Sequence, residues 1–360
     1  MPVDDYKIHD TVWKALEDYR LPATLGFGLV PAPVMYSATF EEGQWSRGEL
    51  LPYGPIEILP GARALHFAEQ CFEGMKAYRV GHPRANLFRA RDNYARFRRS
   101  AERIAMVPVP EALFMQGLEA VTAACTPFVP QHSGQSLYLR PFLFGTEPGY
   151  SVRASGTARF MVIANPSEAY AAGAMKVLVE REQVRAARGG VGFAKTGANY
   201  AASLLASTRA VARGFTVALW LDPVDHRYVE ELSGMNLFAV VGEELVTPML
   251  NDSILPGITR DSLIRLARDG GLRVAERTVA IDELLAQVAS HECSELFACG
   301  TAAIVCPISA VADADGREYR PGHVDVQARS LRERLLAIQE RRAPDPYGWT
   351  SEVAPLVRGR

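Results

Sequence analysis

The 360-residue sequence has no long apolar run: stretches such as residues 217–221 and 237–241 stop at about five residues, far below the ~20 that a membrane-spanning helix requires. It also lacks an excess of either charge, since 39 Lys+Arg against 41 Asp+Glu leave a formal charge of −2. Nucleic acid and anionic membrane both demand clustered basic residues, so neither is expected as a partner. Cysteine is scarce. The five present, Cys71, Cys125, Cys293, Cys299 and Cys306, form no C-x-x-C pair and no metal-ligand spacing with histidine. Reduced thiols and no metal site are the expectation. The first residues, Met1-Pro2-Val3-Asp4-Asp5, carry neither the basic nor the apolar stretch of a secretory leader, which predicts a cytoplasmic protein. Repeats and low-complexity segments are missing too. A composition 48% hydrophobic and 22% charged excludes disordered and fibrous classes.

What is there reads as two α/β domains. From Asp92 onward Tyr94, Phe97, Ala101 and Ile104 recur at helical spacing, and the aromatic-rich segment 135–144 suits a strand. The small-residue stretch 167–175 follows an apolar strand at 160–164 and has the composition of a linker. This places a smaller N-terminal α/β domain at 1–166, an interdomain loop at 167–175 and a larger C-terminal domain at 176–360. Helices are predicted from about Gly197 to Gly214 and near residues 261–269, 282–289 and 324–341.

One lysine stands out. Lys195 lies between the glycine-rich loop 188–192 and a helix start, separated from Arg188 by six uncharged residues. An amine on such a stretch is placed for desolvation, and only a neutral amine attacks a carbonyl to form a Schiff base. An isolated lysine is ordinarily a solvated surface group, so the neighbouring motifs decide the matter.

Those motifs are Phe72-Glu73-Gly74-Met75-Lys76-Ala77-Tyr78-Arg79, Leu137-Tyr138-Leu139-Arg140-Pro141, Gly145-Thr146-Glu147-Pro148, Met235-Asn236-Leu237-Phe238, Leu255-Pro256-Gly257-Ile258-Thr259-Arg260 and Gly300-Thr301-Ala302. Together with the lysine segment, and in this order, they closely resemble the branched-chain amino acid aminotransferases, pyridoxal 5'-phosphate (PLP) enzymes of fold type IV. The resemblance implies an α/β chain of the α+β type, D-amino acid aminotransferase-like in its two-domain fold. It implies a ping-pong transfer of an amino group between an L-amino acid and 2-oxoglutarate, in a homodimer.

By the same resemblance Lys195 is the catalytic residue, holding PLP as an internal aldimine and then moving the proton at the substrate Cα. Glu231 would pair with the pyridine nitrogen, Tyr200 with the phenolic oxygen, and Arg96 with the phosphate. Gly257, Ile258 and Thr259, ahead of a helix start, would present backbone N–H groups to that phosphate, as anions favour helix N-termini. Thr301 and Ala302 would serve the substrate α-carboxylate, with Thr301 also near the phosphate. Tyr138 and Arg140 correspond to the pair that meets a distant substrate carboxylate, for which the guanidinium fork is suited. Phe27, Phe67, Phe72 and Tyr170 correspond to the apolar wall around the substrate side chain.

The sequence departs from the family where that side chain would lie. Phe67 stands where mammalian members have tyrosine, Glu69 and Ser167-Glu168 replace apolar or small residues, and residues 303–306 lack the first cysteine of the mammalian redox pair. The substrate is left open on this ground: a branched-chain amino acid, a more polar one if Glu69 or Glu168 faces it, a non-standard amino acid of secondary metabolism, or another fold-type IV activity such as a lyase or a D-amino acid transaminase.

Overall fold

The computed structural model describes residues 6–169, 173–322 and 325–358. Its contacts divide into two compact units, Met1–Tyr170 with Ala194–Gly197 and Leu336–Arg360, and Ala171–Phe193 with Ala198–Leu335.

The first unit is built on one largely antiparallel sheet. Its strands lie in the order Lys7–Ile8, Glu49–Pro52, Val34–Glu41, Ala158–Ser167, Ser136–Gly145, Met75–Tyr78, Ala85–Phe88 and Thr350–Val353, with Gln70–Phe72 also paired to Ser136–Gly145. The long strand Ser136–Gly145 shows why one face is core. Leu137, Leu139 and Leu143, at alternate positions, are fully buried with Tyr94, Phe97 and Ala101 of the helix Ala90–Arg103 and Phe114, Leu118 and Val121 of the helix Glu111–Cys125. Each such side chain contributes ~1.5–3 kcal/mol on burial. The alternation sends Tyr138, Arg140, Phe142 and Phe144 to the opposite face, where Phe142 and Phe144 stack at 5.6 Å beside Met35 and Met161. Candidate substrate residues and core leucines thus share one strand and differ only by parity.

In the second unit the sheet is mixed, in the order Val229–Leu232, Val217–Leu221, Met175–Glu180, Ile304–Ala312, Cys293–Gly300, Asn236–Val241, Glu244–Pro248 and Arg273–Arg277. Met175–Glu180 runs parallel to both its neighbours, and the connection from it to Val217–Leu221 carries the helix Gly197–Ala212, as a parallel crossover requires. Val217–Leu221 is buried along its whole length, as parallel strands covered on both faces are. The helix turns Ala206 and Ala210 inward, Ala206 against Trp220 and Ala210 against Leu178; small residues let helix and sheet approach closely.

Two features differ from expectation. A division in chain order at 166 and 176 is not how the contacts fall. Ala194–Gly197 goes with the first unit because Phe72 N–H donates to the Lys195 carbonyl at 3.0 Å and Cys71 pairs with Thr196. Leu336–Arg360 does so because Thr350–Val353 pairs antiparallel with Ala85–Phe88. The lysine expected in a larger C-terminal domain is therefore part of the first unit, which is also the larger. Second, the helix expected near residue 261 starts at Ile258, because Gly257 already takes the extended N-cap conformation and its carbonyl accepts the first helical bond from Asp261 N–H at 3.0 Å.

Candidate active site

In the first unit the Phe72-Glu73-Gly74 segment organises four partners, two at Phe72 and one at each of the other residues. The Phe72 ring receives two cations on its π surface, Lys195 Nζ at 5.0 Å and the Arg140 guanidinium carbon at 4.7 Å from its centroid. Glu73 is completely buried and takes a bidentate contact from Arg96, with Nε and Nη2 donating at 2.7 and 2.8 Å. A Cβ on Gly74 would lie 2.0 Å from the Tyr138 hydroxyl, so glycine is what admits that side chain. Tyr138 Oη in turn accepts from Arg140 Nη2 at 3.1 Å, and the Phe27 ring meets the Tyr138 ring edge-on at 4.9 Å. Arg140 Nε is buried without a hydrogen-bond partner.

The Lys195 backbone is held on both sides. Its N–H donates to Ser100 Oγ at 2.9 Å, and its carbonyl accepts from Phe72. Ser100 belongs to the buried stripe Asn93, Arg96 and Ser100 of the helix Ala90–Arg103, spaced three and four residues apart on a face next to the core stripe. One helix therefore positions both the Arg96 guanidinium and the lysine peptide. Phe27, Phe72, Tyr138, Arg140 and Lys195 come together as a continuous series of contacts, with Arg96 behind them.

The second unit assembles a different set. Glu231 sits on the buried strand Val229–Leu232 and is 3% exposed. Its Oε1 lies 2.5 Å from Arg185 Nη2 and accepts from Leu255 N–H at 3.3 Å, while its Oε2 accepts from Asn236 Nδ2 at 3.2 Å. Asn236 also donates to the Leu255 carbonyl at 3.1 Å, and a Cβ on Gly257 would stand 2.0 Å from Asn236 Oδ1. The glycine ahead of the helix Ile258–Asp269 is thereby tied to the carboxylate of Glu231. Ile258 and Thr259 form the first turn of that helix, whose N-cap, Gly257, has no side chain to cap it. Thr301 and Ala302 lie half-buried in the turn between Cys293–Gly300 and Ile304–Ala312, and Tyr200 is half-buried on the helix Gly197–Ala212.

Other expected residues stand apart. Phe67 ends the short helix Arg63–Phe67 with 39% of its surface exposed and its ring tilted against His66. Tyr170 lies outside the described residues. Glu69 is buried, with Oε1 accepting from Ser155 N–H at 2.8 Å; burial pushes its carboxyl above the usual range despite that bond and nearby Arg63. Glu168 accepts from Gln135 Nε2 at 2.7 Å. All five cysteines are buried free thiols, and burial pushes those of Cys125, Cys293 and Cys299 up to about 12, far from reactivity. Among the described residues no helix is long and apolar enough to cross a membrane, and no group of three His, Cys, Asp or Glu gathers as a metal site would require.

Four residues escape sequence reasoning: Glu73, Ser100, Arg185 and Asn236. Glu73 and Asn236 sit inside the quoted motifs, yet nothing in a motif says which side chain a carboxylate or amide will meet. Arg185 lies among Arg181, Glu182 and Arg188, a pattern that reads as a solvated surface.

Known proteins are similar to this chain over most of its length. The family model described as amino-transferase class IV matches residues 70–311. The branched-chain-amino-acid aminotransferase of Mycobacterium tuberculosis (strain CDC 1551 / Oshkosh) is 44% identical over 344 residues, covering 91% of this chain and 92% of that protein. Among solved structures, the branched-chain aminotransferase of Thermoproteus uzoniensis with norvaline superposes with a TM-score of 0.73 at 27% identity, covering 89% of this chain and 99% of that one. The T.th. branched-chain amino acid aminotransferase complexed with N-(5'-phosphopyridoxyl)-L-glutamate gives a TM-score of 0.72 at 28% identity with the same coverage.

Proposed function

The chain belongs to the class IV aminotransferases, among the branched-chain-amino-acid aminotransferases, and from that premise we propose that it transfers the amino group of a branched-chain L-amino acid to 2-oxoglutarate, using PLP, in two half-reactions of ping-pong type. The observation that carries the reading is the pair of cations on one ring: an amine for a covalent link, Lys195, and a guanidinium for a carboxylate, Arg140, both against Phe72. The T.th. neighbour, crystallised with a phosphopyridoxyl derivative of glutamate, supports both the cofactor and the dicarboxylic partner.

The residues present fit PLP. A pyridine ring nitrogen that must keep its proton needs a fixed buried anion, and Glu231 is held by three donors. A phosphate needs N–H donors and positive charge, and the first helical turn at Ile258 and Thr259 would offer the first and Arg96 the second. An aldehyde needs an amine, and Lys195 is the candidate. When bound, PLP supplies an electron sink for the pair of electrons left at the substrate Cα.

The chain's own residues divide the remaining work. Lys195 Nζ would hold the cofactor and, once free of it, would move the proton at the substrate Cα. Tyr200 would hold the ring oxygen, Gly257 and Thr301 the phosphate surroundings, and Thr301 and Ala302 the α-carboxylate. Arg140, with Nε unpartnered and Nη2 on the Tyr138 hydroxyl, would receive the far carboxylate of glutamate. The faces of Phe27 and Phe72 would take aliphatic side chains, with Phe67 and Tyr170 as further apolar contacts. Glu69 and Glu168 are both bonded elsewhere, to Ser155 and Gln135, which favours an aliphatic substrate over a cationic one. Ala201, Leu204, Leu205 and Val211 form an exposed apolar face on the helix Gly197–Ala212, which supports a homodimer. The buried free thiols support a cytoplasmic location.

An amino-donor panel with 2-oxoglutarate and PLP, reading glutamate formation, tests the reading. Leucine, isoleucine and valine are expected to lead; a panel without glutamate from any donor overturns it.

A further inference from the structure

The carboxylate assigned to the cofactor ring already has a cation of its own. Arg185 and Glu231 are both more than nine-tenths buried, and their charged ends lie 2.5 Å apart. Arg185 also donates to the carbonyl oxygens of Ser253 and, at 3.4 Å, Gly192, so its fork is anchored to the backbone. Glu231 cannot swing away from it, because Leu255 N–H and Asn236 Nδ2 hold its two oxygens. A second buried carboxylate, Glu230, stands on the neighbouring position of the strand and takes the Ser253 hydroxyl. Burial pushes the Glu230 carboxyl up; Ser253, Arg185 and Asn251 oppose that, and Asp222 adds to it. The Cys299 thiol feels the charges of both Arg260 and Glu231.

We infer that Arg185 is a positioning residue for Glu231, holding it as an oriented anion so that a proton shared with the cofactor's ring nitrogen stays on the ring rather than crossing to the carboxylate. The inference rests on the PLP reading above and adds a residue to it. The physical argument is one of proton affinity. A guanidinium in contact with a carboxylate lowers its basicity, and two sites competing for one proton leave it on the more basic of them. With Arg185 present, that site is the ring nitrogen. Without it, Glu231 is a buried, unpaired carboxylate that gains by taking the proton, and the ring loses the positive charge that makes it an electron sink. No bond other than this N–H to O–H exchange is involved.

The test uses the full-length holoenzyme and the visible absorbance of bound PLP titrated with pH. A ring that has lost its positive charge repels protonation at the linked Lys195 nitrogen less, so Arg185→Gln is expected to raise the titration midpoint by about one pH unit and to lower kcat about tenfold with KM changed less than about twofold. Arg185→Lys, which keeps a cation, is expected to return most of the midpoint. Because Arg185→Gln leaves an unpaired buried charge, the pair is also read on a Glu231→Gln background, where the double variant removes both charges. There Arg185→Gln is expected to add nothing, since no carboxylate is left to tune. Coloured Arg185→Gln protein titrating at the wild-type midpoint overturns the inference, as does a further shift on the Glu231→Gln background. Wild-type protein that gains no visible absorbance with PLP overturns the functional reading itself, and the inference with it.

Discussion

The surroundings of Phe72 and of Glu231 hold charge in opposite ways. Around Phe72, in the first unit, cations rest on a ring face, and Arg140 keeps a buried Nε without a partner. Around Glu231, in the second unit, every carboxylate oxygen has a donor and the paired guanidinium is anchored to carbonyls. A π face attracts a cation without using its N–H donors, so the buried Arg140 Nε is kept for a guest. A carboxylate with a donor on each oxygen is fixed in orientation and has little accepting capacity left. The contrast matches the labour proposed for each: an amine and guanidinium that must meet successive small molecules, and a carboxylate that must meet one ring and stay still.

The strongest way to break this contrast is at the amine. Lys195→Ala is expected to lower transamination by about 10⁴-fold or more and to remove the visible absorbance of bound PLP, measured by glutamate formation and spectrophotometry. An active, coloured variant would show that the Phe72 region is not where the cofactor is linked.

Next in size is Glu73→Ala, which probes the saturated pair that the first unit does possess. Leaving Arg96 buried and unpaired is expected to cost about 3–5 kcal/mol of stability, read as a denaturant midpoint, whereas Glu73→Gln should cost less. Arg140→Ala tests the unspent donors directly. About a thirtyfold fall in kcat/KM for glutamate is expected, with less than threefold change for leucine; equal losses for both would mean that the guanidinium packs the wall rather than receives a carboxylate.

Two carboxylates sharpen the comparison through pH, and their signs differ. For Asp222 in the second unit, burial would raise the carboxyl, but backbone N–H groups of Asp225, Tyr228, Arg227 and Val224 outweigh it and hold it down to about 2. Its folded value lies below the unfolded one, so its stabilisation is full above the ordinary carboxylate range and disappears as pH falls toward about 2. Asp222→Asn is expected to lose about 2 kcal/mol at pH 7 and little at pH 2, by thermal unfolding at both. Glu69 in the first unit is raised by burial, so its contribution is lost as pH climbs through its folded value. Glu69→Gln is expected to raise Tm slightly at pH 7 and not at pH 4, the smallest effect of the series; a loss of Tm at pH 7 would show that the Ser155 bond outweighs desolvation.

The site was legible in the sequence where a residue's chemistry is unusual for its neighbourhood, and illegible where it depends on a distant partner. Lys195 beside glycines, Gly257 before a helix start and the helix that carries Arg96 can be read from local pattern, whereas Tyr138 and Arg140 are singled out only by the resemblance of their motif. Arg185 does not, because the strand that buries its charge comes much later in the chain. Nor does the role of Gly74, whose missing Cβ matters only once Tyr138 lies across it. The domain limits failed for the same reason: linker composition marks residues 167–175, but it cannot register a short segment or a final strand that pairs far back in sequence.

That threading has a practical side. The chain passes from one unit to the other after Tyr170, Phe193, Gly197 and Leu335. No single cut in the gene separates the two units: a fragment stopping at residue 170 would encode neither the four residues around Lys195 nor the edge strand Thr350–Val353. Lys195 thus lies in an insertion carried to its sheet from within the other unit's stretch of chain. Grafting a new second unit onto this first one would mean splicing at four junctions while keeping residues 194–197 in register between Phe72 and Ser100.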